Sequence, residues 1–184
     1  MQKSLAQPNR KAPSEIIVRT NECRLAKLGE RLVARNILAD VVLTIQVPAG
    51  GFAAMLRFSA PVERTVSRAR LETLWNFADQ AIELVFQSIR SMDVLTDDIV
   101  VSAIGGADVT GQTFGRGKQL AIAVQKSLWR HGVMLKGNDL GGEQSRLVWL
   151  ESASGRLIVR SKVPERSNTR EIRCPEESLQ HLAS

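Results

Sequence analysis

Residues 36–61 read NILADVVLTIQVPAGGFAAMLRFSAP and carry the strongest structural signal in the chain. They contain two runs rich in apolar and β-branched residues, 41–47 and 52–58. A proline and two glycines lie between the runs and favour a turn. The pattern therefore predicts a β-hairpin, which a second proline closes at its far end.

Two charged residues mark the ends of this hairpin. Asp40 stands at the head of the first predicted strand, and Arg57 stands near the end of the second. If the strands pair evenly about the turn, the two side chains lie close together. Since most such pairs are structural, we expect an ion pair that orders the hairpin ends.

Length and composition indicate one ordinary globular domain. The chain has 184 residues, which is enough to bury a substantial core. Its formal charge of +6 permits an acidic protein surface or nucleic acid as a partner. The chain has no tyrosine, and its other aromatic residues do not alternate with the basic ones, so a stacking platform for single strands is not supported. We expect no nucleic-acid partner.

Targeting signals and cysteine usage favour a cytoplasmic protein. No apolar run reaches the roughly 20 residues that span a bilayer, so no membrane insertion is expected. Residues 1–14 are polar, contain no apolar segment typical of a signal peptide, and are predicted to be a disordered tail. Cys23 and Cys174 are far apart and do not form a disulfide framework.

The rest of the chain predicts two helices. Apolar residues recur at helical spacing between Leu74 and Ile89 and predict a helix that begins between residues 65 and 71 and ends near Ser91. A second helix is predicted over 117–131, with Gly132 as a left-handed C-cap.

Further strands are expected on both sides of the helices, over 15–19, 98–104, 133–136, 146–150 and 156–160, the last two as a second hairpin. Residues 20–27 are predicted to turn away from the first strand, residues 31–38 to lead into the hairpin, and residues 139–142 to form a loop. Because antiparallel pairs dominate and helices are few, we predict an α+β layered sandwich. The domain then covers 15–160, and 161–184 is a polar C-terminal tail.

Side-chain chemistry alone offers few candidate sites. No His, Cys, Asp or Glu cluster has metal-ligand spacing, so neither a metal nor a cofactor is expected. The segment 111–118 superficially resembles a phosphate-binding loop, but Gln stands at position 112, where the first glycine is needed. Neither cysteine has a histidine close enough in sequence to pair with it within one turn, which makes each a weak candidate for a catalytic thiol.

Several collinear stretches resemble the CheD family of chemoreceptor glutamine deamidases. The most specific is DLGGEQSR at 139–146, which is followed by a strand and by GRLIVR at 155–160. IGGA at 104–107 is similar to the family's Gly-Gly turn, and FADQAI at 77–82 resembles its first helix. The resemblance implies a layered α/β/β sandwich with mixed and antiparallel strands and two main helices.

The departures from the family fall on its catalytic positions. The family's Gly-x-Gly-Ser-Cys motif falls on residues 36–40, which places Asp40 at the position of the nucleophilic Cys. The catalytic His falls on Arg57 when counted back from the closing proline, or on Ala54 when counted forward from the glycine turn. The assisting Thr falls on Ala34.

These departures predict a member without catalytic residues. Deamidation by the family's route needs a thiolate nucleophile and a base, whereas a carboxylate attacks an amide poorly and an arginine keeps its proton. We therefore expect a catalytically inactive homologue that binds a chemoreceptor cytoplasmic domain or a CheC-type phosphatase. The candidate partner-binding residues are Gly105, Gly106, Arg116, Lys118 and Arg146.

Two alternatives remain open from the sequence. One is an active deamidase with a relocated nucleophile such as Cys23, which needs a base nearby in space. The other is a binding module for anionic partners, which a steep salt dependence would reveal.

Overall fold

The computed structural model describes residues 13–48, 51–61, 75, 77–108, 115–162 and 167–172. Strands β1 to β5 precede the first helix and span Ser14–Ile17, Glu22–Lys27, Glu30–Ile37, Val41–Val47 and Phe52–Phe58. They are followed by α1 at Ala78–Arg90, β6 at Val100–Gly105 and α2 at Arg116–Arg130. Strands β7 to β10 span Gly137–Leu140, Ser145–Glu151, Leu157–Lys162 and Ser167–Ile172.

The strands form two five-stranded sheets. The central sheet has the order β2-β5-β4-β6-β7, and the outer sheet has the order β1-β3-β8-β9-β10. Each sheet contains both antiparallel and parallel pairs; β1 with β3 and β6 with β7 are parallel. The prediction of an α+β sandwich with mixed and antiparallel strands is confirmed.

Two hydrophobic cores lie on opposite faces of the central sheet. On one face, Val41, Leu43 and Ile45 pack with the buried sides of α1 and α2. On the other face, Val42 and Met55 pack with residues of the outer sheet. Every residue of β4 is therefore buried, because both faces of this strand are covered. The order of layers is helices, central sheet, outer sheet.

The predicted hairpin is confirmed as β4 and β5. The two strands pair antiparallel from Val41 opposite Phe58 to Val47 opposite Phe52. Gly51 has a φ of +63°, which favours glycine, and its amide donates to the carbonyl of Pro48 over 3.3 Å. This even pairing brings the hairpin's open end together.

Several segments that were predicted to be loops, connections or tails contain strands. Residues 22–27, predicted to turn, form the edge strand β2, whose polar sequence carries little periodicity. Residues 133–136 are not a strand; β7 begins at Gly137 and includes Asp139 and Leu140, which were predicted to be a loop. Its low-propensity residues pair in parallel with β6, which is a tertiary contact that local pattern does not encode.

The predicted tail is interrupted by β10, which pairs antiparallel with β9. The interpretation of 161–184 as tail throughout is therefore wrong for Ser167–Ile172. At the other end of the chain, the predicted tail 1–14 overlaps β1, which begins at Ser14. Ser161 and Lys162 of the predicted tail belong to β9, and Cys174 lies outside the described ranges.

The two helices differ in how well the sequence predicts their starts. Phe77 has extended backbone (φ −110°, ψ 128°) and bridges to Ala60, so α1 begins at Ala78 and does not include Phe77. The predicted start between residues 65 and 71 lies outside the described residues. Helix α2 matches its prediction closely, and Gly132 has the expected left-handed φ of +71°. Neither helix of the described chain is long and apolar enough to cross a membrane.

Candidate functional site

Asp40 and Arg57 form an ion pair at the open end of the β4–β5 hairpin. The Nε and Nη2 atoms of Arg57 lie 3.0 and 2.9 Å from Oδ2 of Asp40. The side chain of Arg57 is 11% exposed and that of Asp40 is 21% exposed, so water screens the pair only in part. The expected ion pair between the hairpin ends is therefore present.

Arg57 also holds a bulge in the neighbouring strand β3. The pairing of β3 with β8 shifts register between Ala34 and Ile37, and Asn36 has a φ of +54°. Arg57 donates from Nη1 to the carbonyl of Arg35 over 2.8 Å and from Nη2 to the carbonyl of Asn36 over 3.2 Å. One guanidinium therefore joins the carboxylate to two backbone carbonyls that the bulge removes from the ladder.

The backbone around Asp40 is fixed by the glycine turn after β6. The amide of Gly106 donates to the carbonyl of Asp40 over 2.8 Å. Gly105 has a φ of +119°, and a Cβ at this position would lie 2.2 Å from the same carbonyl oxygen. Only glycine fits there, because any side chain would displace the turn or the ion pair. Thr20 completes the shell by donating its hydroxyl to Oδ2 of Asp40 over 3.0 Å.

Of the two positions to which the sequence assigns the family's His, Arg57 lies beside Asp40. Ala54 pairs with Ile45 and Leu25 and is buried in the core between the central sheet and the helices. Ala34 is fully buried between the two sheets. The site at the hairpin's open end thus contains a carboxylate and a guanidinium. Among the residues that the structure describes, the site offers neither a thiol nor an imidazole to a bound amide.

Four of the five candidate partner-binding residues surround this ion pair or the start of α2. Gly105 and Gly106 form the turn against Asp40, and the Gly105 carbonyl accepts from the amide of Gly141 over 2.8 Å. Arg116 is exposed and donates to the carbonyl of Ser59 over 2.9 and 2.6 Å. Lys118 lies in the first turn of α2 and is also exposed.

Arg146 occupies a different environment. It is 6% exposed and donates to Asp139 over 2.9 Å and to the carbonyl of Gly141 over 2.7 Å. These bonds fix the loop that follows β7. The buried Arg146 side chain therefore supports this surface and is not itself exposed to a partner. It also lines a cavity of about 320 Å³ that the sequence did not predict, together with Arg35, Asn36, Ser145, Leu147 and Trp149.

Asp108 is a residue of this region that sequence reasoning missed. Its two carboxylate oxygens accept from the amides of Gly117 and Lys118 over 2.9 and 3.1 Å. It therefore caps the N-terminus of α2, where a carboxylate stabilises the helix dipole. Because it stands nine residues before Gly117, the local capping pattern gives no signal for it.

Cys23 is poorly suited to act as a relocated nucleophile. It lies in β2 opposite Leu56, and burial raises the pKa of its thiol to about 11. At neutral pH this thiol carries its proton and is a poor nucleophile.

His131, the histidine among the described residues, is engaged elsewhere, at the C-terminal end of α2. Its Nε2 lies 3.2 Å from Glu83 and its Nδ1 lies 3.3 Å from Nη1 of Arg90, while its ring stacks on Phe86. Because Arg90 can only donate, Nδ1 accepts and the ring is neutral. Burial lowers the pKa of His131, in agreement with this geometry.

Comparisons with known proteins point to one family. A family model described as CheD chemotactic sensory transduction matches residues 61–161, a range that begins after the hairpin bearing Asp40 and Arg57. A relative from Solibacter usitatus, named "Probable chemoreceptor glutamine deamidase CheD", is 32% identical over 147 residues, which cover 78% of this chain and 86% of the relative. "Probable chemoreceptor glutamine deamidase CheD 1" from Syntrophus aciditrophicus is 25% identical over 80% of this chain and 94% of its own length.

Proposed function

The chain belongs to the CheD family, and on that premise we propose that it is a catalytically inactive member that binds the cytoplasmic domain of a chemoreceptor. The observation that carries the proposal is the ion pair between Asp40 and Arg57. A CheC-type phosphatase is the alternative partner, and the CheD-like domain comprises residues 15–160 together with the end of β9 and β10, which belong to the outer sheet.

The chemistry of deamidation supports inactivity. In the family's route, as the resemblance implies, a thiolate attacks the side-chain amide carbon, ammonia leaves, and water hydrolyses the thioester to release glutamate. Asp40 has no thiol to form this intermediate, and Oδ2 of its carboxylate already accepts bonds from Arg57 and Thr20. Arg57 keeps its proton and cannot serve as the base that a nucleophile requires.

The surroundings of the ion pair support a binding role. The glycine turn, the bulge in β3 and the loop held by Arg146 are joined by hydrogen bonds into one rigid surface. Arg116 and Lys118 lie at its margin and contribute positive charge. The relatives are named as chemoreceptor glutamine deamidases, and a surface that recognises a receptor does not depend on the nucleophile.

Ammonia release and binding, measured in the same samples, test this proposal. A glutamine-bearing chemoreceptor cytoplasmic fragment is incubated with the full chain, with an active CheD protein as the positive control. We expect ammonia at the no-enzyme rate and retention of the fragment in a pull-down. Ammonia above that rate contradicts inactivity, and its loss in Cys23→Ala would assign the reaction to the relocated thiol.

Charge reversal identifies the surface that binds. Arg116→Glu should weaken retention of the fragment because it places a negative charge at the margin of the site. Arg24→Glu is the matched control, since Arg24 is half-exposed on the edge strand β2. If both variants retain the receptor fragment equally well, the start of α2 is not part of the interface. Binding to a CheC-type phosphatase without binding to the receptor fragment would select the alternative partner.

A further inference from the structure

Helix α2 carries large apolar side chains on the side that faces away from the core. Ile122 is 48% exposed and Trp129 is 80% exposed. They are seven residues apart and therefore lie on the same side of the helix, about 10 Å from each other along its axis. Met134, in the linker that follows the helix, is 79% exposed. Exposed Trp and Met side chains of this kind are typical of protein interfaces.

The charges of α2 all have one sign. Its sequence, RGKQLAIAVQKSLWR, contains four basic residues and no acid. Lys126 and Arg130 flank Trp129, and within the described part of the chain neither has a salt bridge. We call Ile122, Lys126, Trp129 and Arg130 the cationic ridge.

A second exposed patch has the opposite charge. The linker 91–99, which joins α1 to β6, exposes Met92 by 54% and Leu95 by 69%. It contains three exposed aspartates and no basic residue, and we call it the acidic linker; the aspartates are Asp93, Asp97 and Asp98. The two patches therefore share an apolar centre and differ in the sign of the surrounding charge.

The two patches lie at the same end of the helical layer. Arg90, the last residue of α1, contacts His131, the C-cap of α2, over 3.3 Å. Strands β6 and β7 are parallel neighbours, and the amide of Lys136 donates to the carbonyl of Val101 over 2.9 Å. The linkers that enter these two strands therefore run side by side, and the C-terminal end of the cationic ridge, at Arg130, lies at the same end of the helical layer as the acidic linker.

We propose that the cationic ridge binds the acidic linker of a second copy of this chain in a two-fold symmetric dimer. A two-fold axis between adjacent patches brings each ridge onto the partner's linker, so that both contacts form at once. Ridge against ridge would bring two acid-free helices together and is opposed by repulsion. A flat anionic membrane is disfavoured too, because it would be repelled by the three exposed aspartates at the same end of the helical layer.

Complementary charge reversal of the full-length chain tests the dimer. The ridge variant is Lys126→Glu with Arg130→Glu, and the linker variant is Asp97→Lys with Asp98→Lys. Asp93 is spared, because its φ of +57° suits Asp better than Lys. Sedimentation velocity is measured for the wild type, for each variant and for their equimolar mixture. Phosphatidylglycerol vesicles are tested in parallel.

We expect the wild type to dimerise, each variant to be monomeric, and the mixture to form a heterodimer. The mixture restores both contacts, because the reversed ridge meets the reversed linker and the unreversed ridge meets the unreversed linker, so that each contact joins opposite charges. Trp129→Ala should weaken the dimer at least about 30-fold, as expected for a central tryptophan. Leu28→Ala, at a site 69% exposed in the β2–β3 turn, is the matched control and should change nothing.

The other outcomes overturn the proposal. A wild type that stays monomeric up to its solubility limit excludes the dimer, and binding to the vesicles instead would assign the ridge to a lipid surface. A dimer that survives both reversals must use another surface. Two monomeric variants that do not associate when mixed would show that the ridge and the linker do not face each other.

Discussion

Replacing Arg57 by alanine should destabilise the protein well beyond what an ordinary surface ion pair costs. The substitution removes the bonds to the Asp40 carboxylate and those to the carbonyls of Arg35 and Asn36. Removing one partner of a buried pair costs about 3–5 kcal/mol, and a hydrogen bond to a charged group contributes about 1.5–3 kcal/mol. Since Asp40 is 21% exposed and regains some water, we expect a loss of about 2–4 kcal/mol.

Thermal and urea unfolding, followed by circular dichroism, measure this loss. For a chain of this size the expected drop in Tm is roughly 4–16 °C. Arg24→Ala is the control: Arg24 is 51% exposed and pairs with Glu22, so its loss should cost no more than about 1 kcal/mol. In the Arg57→Ala background, Asp40→Ala should cost less than it does alone, because its partner is already absent. A loss below about 1 kcal/mol for Arg57→Ala, or full additivity with Asp40→Ala, would show that the guanidinium does not stabilise the hairpin end through these bonds.

Three further predictions concern the turn, the histidine and the thiol. Gly105→Ala should cost about 2–5 kcal/mol in urea unfolding because its Cβ meets a backbone carbonyl, whereas Gly29→Ala, also at positive φ but in open space, should cost only about 1–2 kcal/mol. Burial lowers the pKa of His131 from its ordinary 6.5, so the unfolded chain binds the proton more tightly. His131 should therefore reduce the free energy of unfolding as pH falls below 6.5, and His131→Asn should flatten that slope; an unchanged slope contradicts this. In a Cys174→Ala background at pH 8, Cys23 should react with a disulfide reagent about tenfold more slowly than after unfolding. A pKa raised to about 11 reduces the thiolate fraction roughly 100-fold, while the greater nucleophilicity of that thiolate restores about tenfold; equal rates contradict this.

The central hairpin was predictable because its signals are local. Two apolar runs of equal length flank one turn. Even pairing about that turn brings the start of β4, next to Asp40, beside the end of β5, where Arg57 lies. The second hairpin and the C-cap of α2 at Gly132 follow from equally local chemistry. Where residues that are neighbours in sequence determine an element, the sequence pattern is sufficient to predict that element.

The strands that sequence reasoning missed depend on partners far away in the chain. β2 is a polar edge strand that forms because β5 offers it an open ladder, and β7 forms beside β6 despite its Gly-Asn-Asp sequence. The same holds for the site. The cap on α2 comes from Asp108, which lies nine residues before Gly117, and no sequence periodicity predicts this contact.

Arg57 couples the chemistry of the site to the fold. It occupies one of the two positions to which the resemblance assigns a catalytic histidine, and it also supplies donors to two carbonyls freed by the bulge in β3. An imidazole has two ring nitrogens and cannot make all of these bonds at once, so Arg57→His would leave buried acceptors without partners. Asp40→Cys would in addition remove the carboxylate that the guanidinium neutralises. Introducing the family's two reactive groups, by Asp40→Cys and Arg57→His, should therefore destabilise the open end of the hairpin, where both groups would have to lie. The ion pair is therefore a structural element of this chain in its own right, which agrees with the proposed loss of activity.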